Sequence, residues 1–421
     1  MTVHSTARAT PLIWRFQDWR MAPKMLVAFL AVVLIPLGII SSITVPQTRN
    51  ALLDQGATAL ASHAVNTGAS IDQYLVSHRE DIVADSLLPS LQNFVANPSD
   101  AQIKATAQKE LKSLANKKYC ESLAIVNTEG TIILSSSDAD INTNVPFRPY
   151  FLEGMKGNAG YVSDPSVSVV TGQPAIFFSA PILDSGGNIR GVIRSRLSLF
   201  GIWDLVEQDR NAAGPGTFGV LLDENGIRIA SSLSLNNRDA IAGTLLYSAI
   251  APLSADTERT IVAEKRFGNN TATAVRVLPL PETFAALNQP DAKPFETTAD
   301  NSAERHYASM ASLAIKPWHY ALMTPLSTFT AVADSQRTIS LLVLVIVGAI
   351  ALILAIILAR EITRPIIQLT QIADRISLGE LDAKIDVDRK DEIGELAEAV
   401  SRMQASLQAA IERLRARRTS G

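Results

Sequence analysis

An uninterrupted apolar stretch near the end of the chain constrains its architecture more than any other feature. Residues 339–359 read ISLLVLVIVGAIALILAIILA, with no charged residue and no proline. A helix of about 20 such residues, rising 1.5 Å per residue, matches the roughly 30 Å hydrocarbon core of a bilayer. Arg360 ends the run, and Arg364-Pro365 then suits the headgroup layer and the first turn of a new helix. We therefore predict a transmembrane helix over residues 338–359.

Two amphipathic helices are predicted after this run. The apolar residues of the first recur at steps of four and three until Gly379, and those of the second recur at steps of three and four from Ile393 to Leu414. This spacing places apolar side chains along one seam of each helix, which needs partner helices to cover it. We expect a homodimer. The seam residues are Ile362, Ile366, Leu369, Ala373, Ile376, Ile393, Leu396, Val400, Met403, Leu407, Ala410 and Leu414.

These helices resemble the HAMP domain of bacterial receptors. The resemblance is carried by Pro365, by Gly379 and by the block Asp391–Leu396, which reads DEIGEL. A juxtamembrane coiled coil of no particular family is the alternative. The resemblance implies a HAMP domain over residues 360–414, in which a parallel four-helix bundle converts movement of the membrane helix into a changed output. A basic tail, residues 415–421, would follow.

The beginning of the chain predicts a second membrane helix. Residues 1–24 carry four basic residues against one acid, as expected of a cytoplasmic leader, and residues 25–45 are uncharged. Pro36 kinks a membrane helix without forbidding it. A cleaved signal peptide is the alternative, but the run is longer than a usual signal core. We expect both ends inside the cell, a sensor domain outside it, and a multi-pass protein of the inner (plasma) membrane.

Composition adds limits on the part outside the membrane. The chain has 421 residues, 47% of them hydrophobic, and a net charge of -3. A net charge this small does not identify a partner. The chain has a single cysteine, Cys120, so an intrachain disulfide cannot form. The five histidines are scattered rather than set at metal-ligand spacing, and we expect no metal and no cofactor.

The predicted fold class is α+β, with two tandem units after helical chain. One long helix and a shorter one are predicted from Gln47 to about Lys118, with a break at Asn97-Pro98. A distal unit (residues 119–212) and a proximal unit (residues 216–330) then repeat a plan of strands around tight turns. Residues 279–304 are predicted to be an exposed loop. Predicted strands are 123–126, 131–134, 175–180, 190–199, 219–222, 227–231, 260–265, 273–278 and 318–323, with helical chain at 149–156.

Residues 46–337 resemble the double Cache sensor domain of bacterial receptors, which contains two PAS-like α+β units. The motifs that carry the resemblance are Arg148-Pro149-Tyr150-Phe151, Val162-Ser163-Asp164-Pro165, Thr171-Gly172, Pro181-Ile182 and Gly191-Val192-Ile193. The resemblance implies a pocket for a small-molecule ligand in the distal unit. In amino-acid-binding members an arginine followed by two aromatic residues holds the carboxylate, which Arg148, Tyr150 and Phe151 would do here.

The second half of that amino-acid pattern is absent. Ser166 and Ser168 stand where a tyrosine and an aspartate would bind the ammonium, and Arg196 follows where a late aspartate would lie. Arg148 and Arg196 facing one cavity would favour an organic anion. Arg196 could instead point outward or pair with a local acid.

Three weaker candidates complete the predicted site. They are Tyr161, Thr171 and Asp164, and the last is better suited to a structural role, in which its side chain accepts backbone hydrogen bonds at its turn.

No catalytic motif is visible, so we expect a sensor rather than an enzyme. The basic residues from Arg413 to Arg418 favour solvent or anionic lipid over nucleic acid, because the run is short and lacks aromatic residues. One interpretation is a receptor that relays ligand binding to a separate cytoplasmic signalling partner. The other is the input half of a histidine kinase, a nucleotide cyclase or a methyl-accepting chemoreceptor acting in chemotaxis.

Overall fold

The computed structural model describes residues 19, 21–233, 245–268, 275–289, 293–299 and 304–419. The chain divides into two compact units. One is Asn50–Ala331, and the other combines Met1–Arg49 with Val332–Gly421. The α+β class and the two sheets predicted from the sequence are confirmed.

The N-terminal helical region contains three helices. Helix α1 runs from Met21 to Ser86 and passes Pro36 and Pro46 without a break. It is followed by α2 (Pro89–Ala96) and α3 (Ala101–Leu114), so the break at Asn97-Pro98 is confirmed and the one before Pro89 was missed. Asp100 starts α3, because its side chain accepts hydrogen bonds from the backbone N–H groups of Gln102 and Ile103.

The distal unit is built on an antiparallel sheet. The strands are β1 (Cys120–Asn127), β2 (Ile132–Ser135), β3 (Tyr161–Val162), β4 (Ser166–Val167), β5 (Pro174–Leu183) and β6 (Ile189–Ser198). Their order in the sheet is β2-β1-β6-β5-β3, with β4 paired to β5. A tight turn joins β1 to β2, where Gly130 has a φ of 87° that favours glycine. The helix α4 (Pro149–Met155) lies between β2 and β3 in the chain, and α5 (Phe200–Glu207) follows β6.

The proximal unit has a second antiparallel sheet. The strands are β7 (Phe218–Leu222), β8 (Arg228–Ser231), β9 (Phe295–Thr298), β10 (Arg305–Ser312) and β11 (His319–Pro325). Their order in the sheet is β8-β7-β11-β10-β9. Two helices lie between β8 and β9 in the chain, α6 (Ala255–Ala263) and α7 (Pro281–Leu287).

Three predictions for the proximal unit need correction. The strand predicted at residues 260–265 is mostly helix α6, which the Ser254 hydroxyl caps by accepting a hydrogen bond from the Thr257 N–H. The loop predicted at residues 279–304 contains α7 and β9. For the strand predicted at residues 273–278, the first two residues lie outside the described chain, and the others make only an isolated bridge at Val277.

Helix α1 packs along both sheets. Its buried residues recur on one face and join side chains of the distal and proximal sheets in one apolar core: Leu60, Ala64, Ile71, Leu75 and Ile82. The Trp203 indole of α5 donates to the Ile229 carbonyl of β8 at 3.0 Å. Apolar burial of this extent stabilises the two α+β units as one body.

The second compact unit contains the C-terminal helices from Val332 onward. Helix α8 (Leu326–Leu358) continues through a π-helical turn (Ala359–Thr363) into α9 (Arg364–Ser377), and α10 is Glu392–Thr419. Two helical spans, Pro23–Ser86 and Leu326–Ser377, each contain a stretch that is long and apolar enough to cross a membrane. The predicted stop at Gly379 is confirmed, because its φ of 95° is one that glycine readily adopts.

Candidate functional site

Arg148 occupies the position before α4 and lies inside the distal unit. Its backbone is extended, and Pro149 begins the helix at a position that proline suits. The side chain is only 2% exposed. Its Nη2 donates to the Val167 carbonyl at 3.1 Å, and among the residues that the structure describes it has no carboxylate partner within ion-pairing distance. Burial lowers the pKa of Arg148, the direction expected for a desolvated cation.

A stacked aromatic pair forms one wall of the cavity beside Arg148. The Tyr150 and Phe177 rings are parallel to within 20° and lie 4.9 Å apart. Tyr150 is held in place because the Ser179 hydroxyl donates to its carbonyl at 2.7 Å. The predicted site residue Phe151 does not line this cavity and packs in the apolar core behind it.

Tyr161 and Asp164 also line the cavity. The Asp164 carboxylate accepts from Lys316 Nζ at 2.9 Å and from the Trp318 indole at 3.3 Å, so its partners are side chains of the proximal unit rather than backbone groups of its own turn. Burial opposes its ionisation, but Lys316 and Arg266 outweigh burial and hold the pKa of Asp164 below its ordinary value. Burial raises the pKa of Tyr161, so its hydroxyl stays protonated.

Two further cavity residues come from the proximal unit. Glu264 and Arg266 lie directly after α6 and complete the lining. The Arg266 guanidinium pairs with the buried Asp223 carboxylate at 2.8 Å and donates to the Pro165 carbonyl at 3.1 Å. The cavity is therefore composite, with walls from both α+β units.

Arg196 is not brought to this cavity, so the expectation that it faces the cavity together with Arg148 needs correction. It pairs with Phe177 in the sheet register, but its guanidinium bonds Asp140 at 2.7 Å and Glu121 at 2.9 Å. Asp140 also pairs with Arg194 at 2.7 Å. Burial would raise the pKa of Asp140, but the two arginines hold it well below its usual range. Arg196 therefore already has two carboxylate partners.

Thr171 is also outside the cavity. It lies in an exposed turn, where its hydroxyl accepts from the Gln173 N–H at 3.3 Å. Of the predicted residues, the structure brings together Arg148, Tyr150, Tyr161 and Asp164. The residues that sequence reasoning missed as lining are Pro149, Ser163, Phe177, Glu264 and Arg266, and Ser166 joins them.

The chemistry of the lining is balanced in charge. Arg148 and Arg266 contribute two positive groups, and Asp164 and Glu264 contribute two carboxylates. The cavity volume is about 30 Å³, which is enough for about one water molecule. In a ligand site, a small number of convergent polar groups fix the orientation of the bound molecule, and the polar groups beside the aromatic wall have this arrangement.

Comparison with known proteins gives the family. The family model of the Cache domain matches residues 46–333, which is more than half of the chain. The chain belongs to the Cache domain family. A second family model, that of the HAMP domain, matches residues 357–409. The sensor architecture that the sequence motifs predicted is therefore confirmed, and this Cache protein carries a HAMP domain whose match begins at the C-terminal end of helix α8.

The fold is shared with a solved sensor domain. The sensor domain of the V. cholerae histidine kinase DctB is similar with a TM-score of 0.51 at 16% identity, and the alignment covers 66% of this chain and 98% of that domain. The sensory domain of the Campylobacter jejuni chemoreceptor Tlp3, with isoleucine bound, has a TM-score of 0.45 at 14% identity and covers 68% of this chain and 98% of that one.

One curated relative is similar over a short segment. A protein of Acetivibrio thermocellus, named as a sensory transducer, is 36% identical over 72 residues. That segment is 17% of this chain and 13% of the relative. The chain therefore matches only a small part of the relative's length.

Proposed function

We propose that this Cache protein is a transmembrane receptor for a small organic ligand that carries a carboxylate. The ligand would bind outside the membrane, in the cavity around Arg148. Its binding state would pass through the second membrane helix to the HAMP helices, and from there to a cytoplasmic partner.

The observation that carries this proposal is the state of Arg148. Among the described residues, the buried Arg148 guanidinium bonds only hydroxyl and carbonyl oxygens. A guanidinium bonds most strongly to a carboxylate, which accepts two parallel hydrogen bonds from it. Three of the four contacts of Arg148 are 3.3 to 3.5 Å long, so the geometry leaves room for a stronger acceptor. A ligand carboxylate supplies that acceptor.

The charge balance of the cavity revises the preferred ligand. The sequence favours an organic anion only if Arg148 and Arg196 both face the cavity. Since Arg196 is paired with Asp140 and Glu121, that second positive charge is not free. The argument for a carboxylate therefore rests on Arg148, and the argument for a net negative charge falls away.

A homodimer is part of the proposal. The seam residues Leu396, Met403 and Leu407 are 46%, 44% and 41% exposed in the single chain. Apolar side chains at a/d spacing are normally covered by partner helices, and a second copy would cover them. The proposed topology keeps both ends of the chain inside the cell and the Cache domain outside.

Titration of the full chain in lipid nanodiscs tests the ligand site. A panel of carboxylates and amino acids is titrated by calorimetry against the parent and against Arg148→Ala. We expect the variant to lose at least roughly tenfold in affinity, because truncation removes the group that bonds the carboxylate. Arg190→Ala is the matched control, since Arg190 is an exposed arginine of the same unit that pairs with Asp184. Equal affinity in parent and Arg148→Ala would place the ligand elsewhere.

A further inference from the structure

A second cavity lies between the two candidate membrane helices, α1 and α8. It is lined by side chains within residues 37–44 of α1 and residues 336–344 of α8, and we call it the interhelix cavity. Both stretches belong to the same compact unit. Its volume is about 240 Å³, which is much larger than that of the cavity around Arg148.

The interhelix cavity is a local gap between helices that otherwise touch. On one side of it along the chain, a Cβ added to Gly348 of α8 would lie 3.6 Å from Leu34 Cδ2 of α1, which is van der Waals contact. On the other side, within the sensor domain, the Phe329 ring of α8 lies directly against Gly56 of α1. Packed protein interiors leave few voids larger than a water molecule, so a gap of this size between packed helices suits a bound molecule.

Polar side chains that line the interhelix cavity lack hydrogen-bond partners among the residues that the structure describes. The hydroxyls of two neighbouring residues differ, because Ser42 donates to the Ile39 carbonyl at 2.8 Å and Thr338 donates to the Asp334 carbonyl at 3.1 Å. A polar group without a partner is costly in hydrocarbon, so the lining groups offer free donors and acceptors to a molecule in the cavity. These lining residues are Ser41, Thr44, Gln336 and Ser340.

The lining is polar at one end and apolar at the other. In the proposed topology, Thr44 and Gln336 lie at the outer end of the cavity, and Leu37 and Leu344 lie deeper in the bilayer. An amphiphile in the outer leaflet has the same orientation, with its polar head at the interface and its apolar part in the hydrocarbon. The lining residue Ile40 is 60% exposed, so the cavity is open toward the lipid.

We propose that the interhelix cavity binds a small neutral amphiphile, with its hydrogen-bonding head at Thr44 and Gln336 and its apolar tail beside Leu37 and Leu344. A cavity of about 150 Å³ binds benzene, so about 240 Å³ takes a molecule of roughly ten non-hydrogen atoms. The head is neutral because none of the described lining residues is charged, and a buried charge without a partner is strongly disfavoured.

This site is separate from the cavity around Arg148, and its ligand reaches it from the membrane rather than from water. The ligand contacts α8, which leads from the sensor domain into the HAMP domain. It is therefore a second input to the helix that carries the proposed signal.

Photolabelling of the full chain in lipid nanodiscs tests this site. The probe is a diazirine derivative of 1-octanol, and labelled residues are identified by mass spectrometry. The competitors are 1-octanol and octyltrimethylammonium, which has the same chain and a permanent charge. Ser41→Leu fills the cavity from α1, and Ser340→Leu fills it from α8. Ser42→Leu is the matched control, because the Ser42 hydroxyl bonds its own helix and lies outside the lining.

We expect saturable labelling within residues 37–44 and 336–344 that 1-octanol suppresses. Octyltrimethylammonium should compete at least roughly tenfold less well, because its charge would be buried without a partner. Ser41→Leu and Ser340→Leu should each abolish the saturable labelling, since leucine occupies the space of the ligand and removes a hydroxyl. Ser42→Leu should be labelled like the parent.

Other results would overturn the proposal. Labelling that spreads evenly over the lipid-facing residues and does not saturate would mean that lipid chains alone fill the gap. Labelling of Ser41→Leu at the parent level would place the amphiphile elsewhere, and equal competition by octyltrimethylammonium would contradict a neutral ligand. Disulfide crosslinking between two copies of Ser41→Cys, with Cys120 replaced by serine and no saturable labelling of the parent, would mean that a second copy covers the cavity. None of these results depends on whether a carboxylate binds near Arg148.

Discussion

Asp164 of the distal unit is bonded to Lys316 of the proximal unit at 2.9 Å. Asp164 lines the candidate cavity, and Lys316 lies just before β11, the strand from which the chain enters α8. Trp318 adds a second bond to the same carboxylate at 3.3 Å. The cavity is therefore joined by direct side-chain contacts to the segment just before β11, and that strand leads toward the second candidate membrane helix.

Contacts of this kind support the prediction that residues 46–337 fold when expressed alone. The range Asn50–Ala331 is one compact unit, and its core joins α1 to both sheets. With a single cysteine in the chain, the fold should need no disulfide, and we expect it to need no metal. Circular dichroism and thermal unfolding of the purified segment in the presence of a chelator check this. A product that is unfolded, or that folds only with added metal, would disagree with the structure.

The ion pair between the units predicts a stability change. Lys316→Gln removes the ammonium from a carboxylate whose side chain is 34% exposed, so we expect the free energy of unfolding of residues 46–337 to fall by about 1–2 kcal/mol. Lys156→Gln removes an exposed ammonium that pairs with Glu153, and a surface pair of this kind contributes roughly 0–1 kcal/mol. Urea unfolding measures both. Similar losses in the two variants would show that the Asp164–Lys316 bond is no stronger than a surface pair.

Asp85 predicts a pH dependence. Burial raises its pKa to about 6, with Lys117 opposing and Asp81 and Glu110 adding to the rise. The carboxyl is 8% exposed and faces a small cavity between α1 and the distal sheet, which His78 and Cys120 also line. The pKa of Asp85 is higher in the folded protein than in the unfolded chain. Its contribution to the stability of the fold is therefore complete below about pH 4 and is lost as the pH rises through about 6.

The corresponding variant is Asp85→Asn, which is neutral at every pH. At pH 7.5 we expect it to raise the free energy of unfolding by up to about 3 kcal/mol, and at pH 4 by much less. Urea unfolding at both pH values measures the difference, with Glu80→Gln as the control because Glu80 is an exposed carboxylate of the same helix. An equal effect of Asp85→Asn at the two pH values would mean that Asp85 does not titrate in this range.

The surroundings of Gly394 predict that the HAMP domain requires a glycine at this position. A Cβ added there would collide with the Arg389 carbonyl, and the Asp391 carboxylate accepts from the Gly394 N–H at 3.1 Å. We expect Gly394→Ala to loosen the HAMP connector, residues 378–391 between α9 and α10, and so to speed tryptic cleavage at Lys384, Arg389 and Lys390. Ser401→Ala changes an exposed residue of α10 and is the control. Cleavage at the parent rate in Gly394→Ala would show that the connector tolerates the side chain.

The sequence predicted those parts of the fold that depend on local pattern. Strands that flank a tight turn, such as Leu123–Val126, were predicted close to their true bounds because alternation and Gly130 are local signals. The prediction of a strand at residues 260–265 was wrong because it also depended on local pattern alone. The run of threonine, isoleucine and valine suggests a strand, whereas the cap at Ser254 and the packing of Ile261 make it a helix.

The candidate site was less predictable because it is assembled from distant chain segments. Arg148 and Tyr150 were found because they lie in one short motif. Glu264 lies in the other α+β unit, and no local pattern connects it with Arg148. The partner of Arg196 was missed for a similar reason, since Asp140 meets it only through the pairing of β1 with β6.

The central claim is that ligand binding outside the membrane changes the HAMP seam through the junction of α8 and α9. A π-helical turn, Ala359–Thr363, makes this junction continuous, and Arg389 of the HAMP connector donates to the Glu361 carbonyl at 2.8 Å. Coupling free energies between sites are typically about 1–3 kcal/mol, which is comparable to the effect of a few changed seam contacts. A flexible Gly-Gly-Gly insertion between Thr363 and Arg364 should leave ligand affinity nearly intact and abolish the coupling.

Cysteine crosslinking at Leu407, in membranes and with Cys120 replaced by serine, measures that coupling most directly. The probe is the compound that binds the full chain most tightly in the calorimetric panel. We predict that this compound changes the crosslinking rate in the parent and leaves it unchanged in the insertion variant. An equal response in both proteins would mean that the signal does not pass through the junction, and would contradict the account.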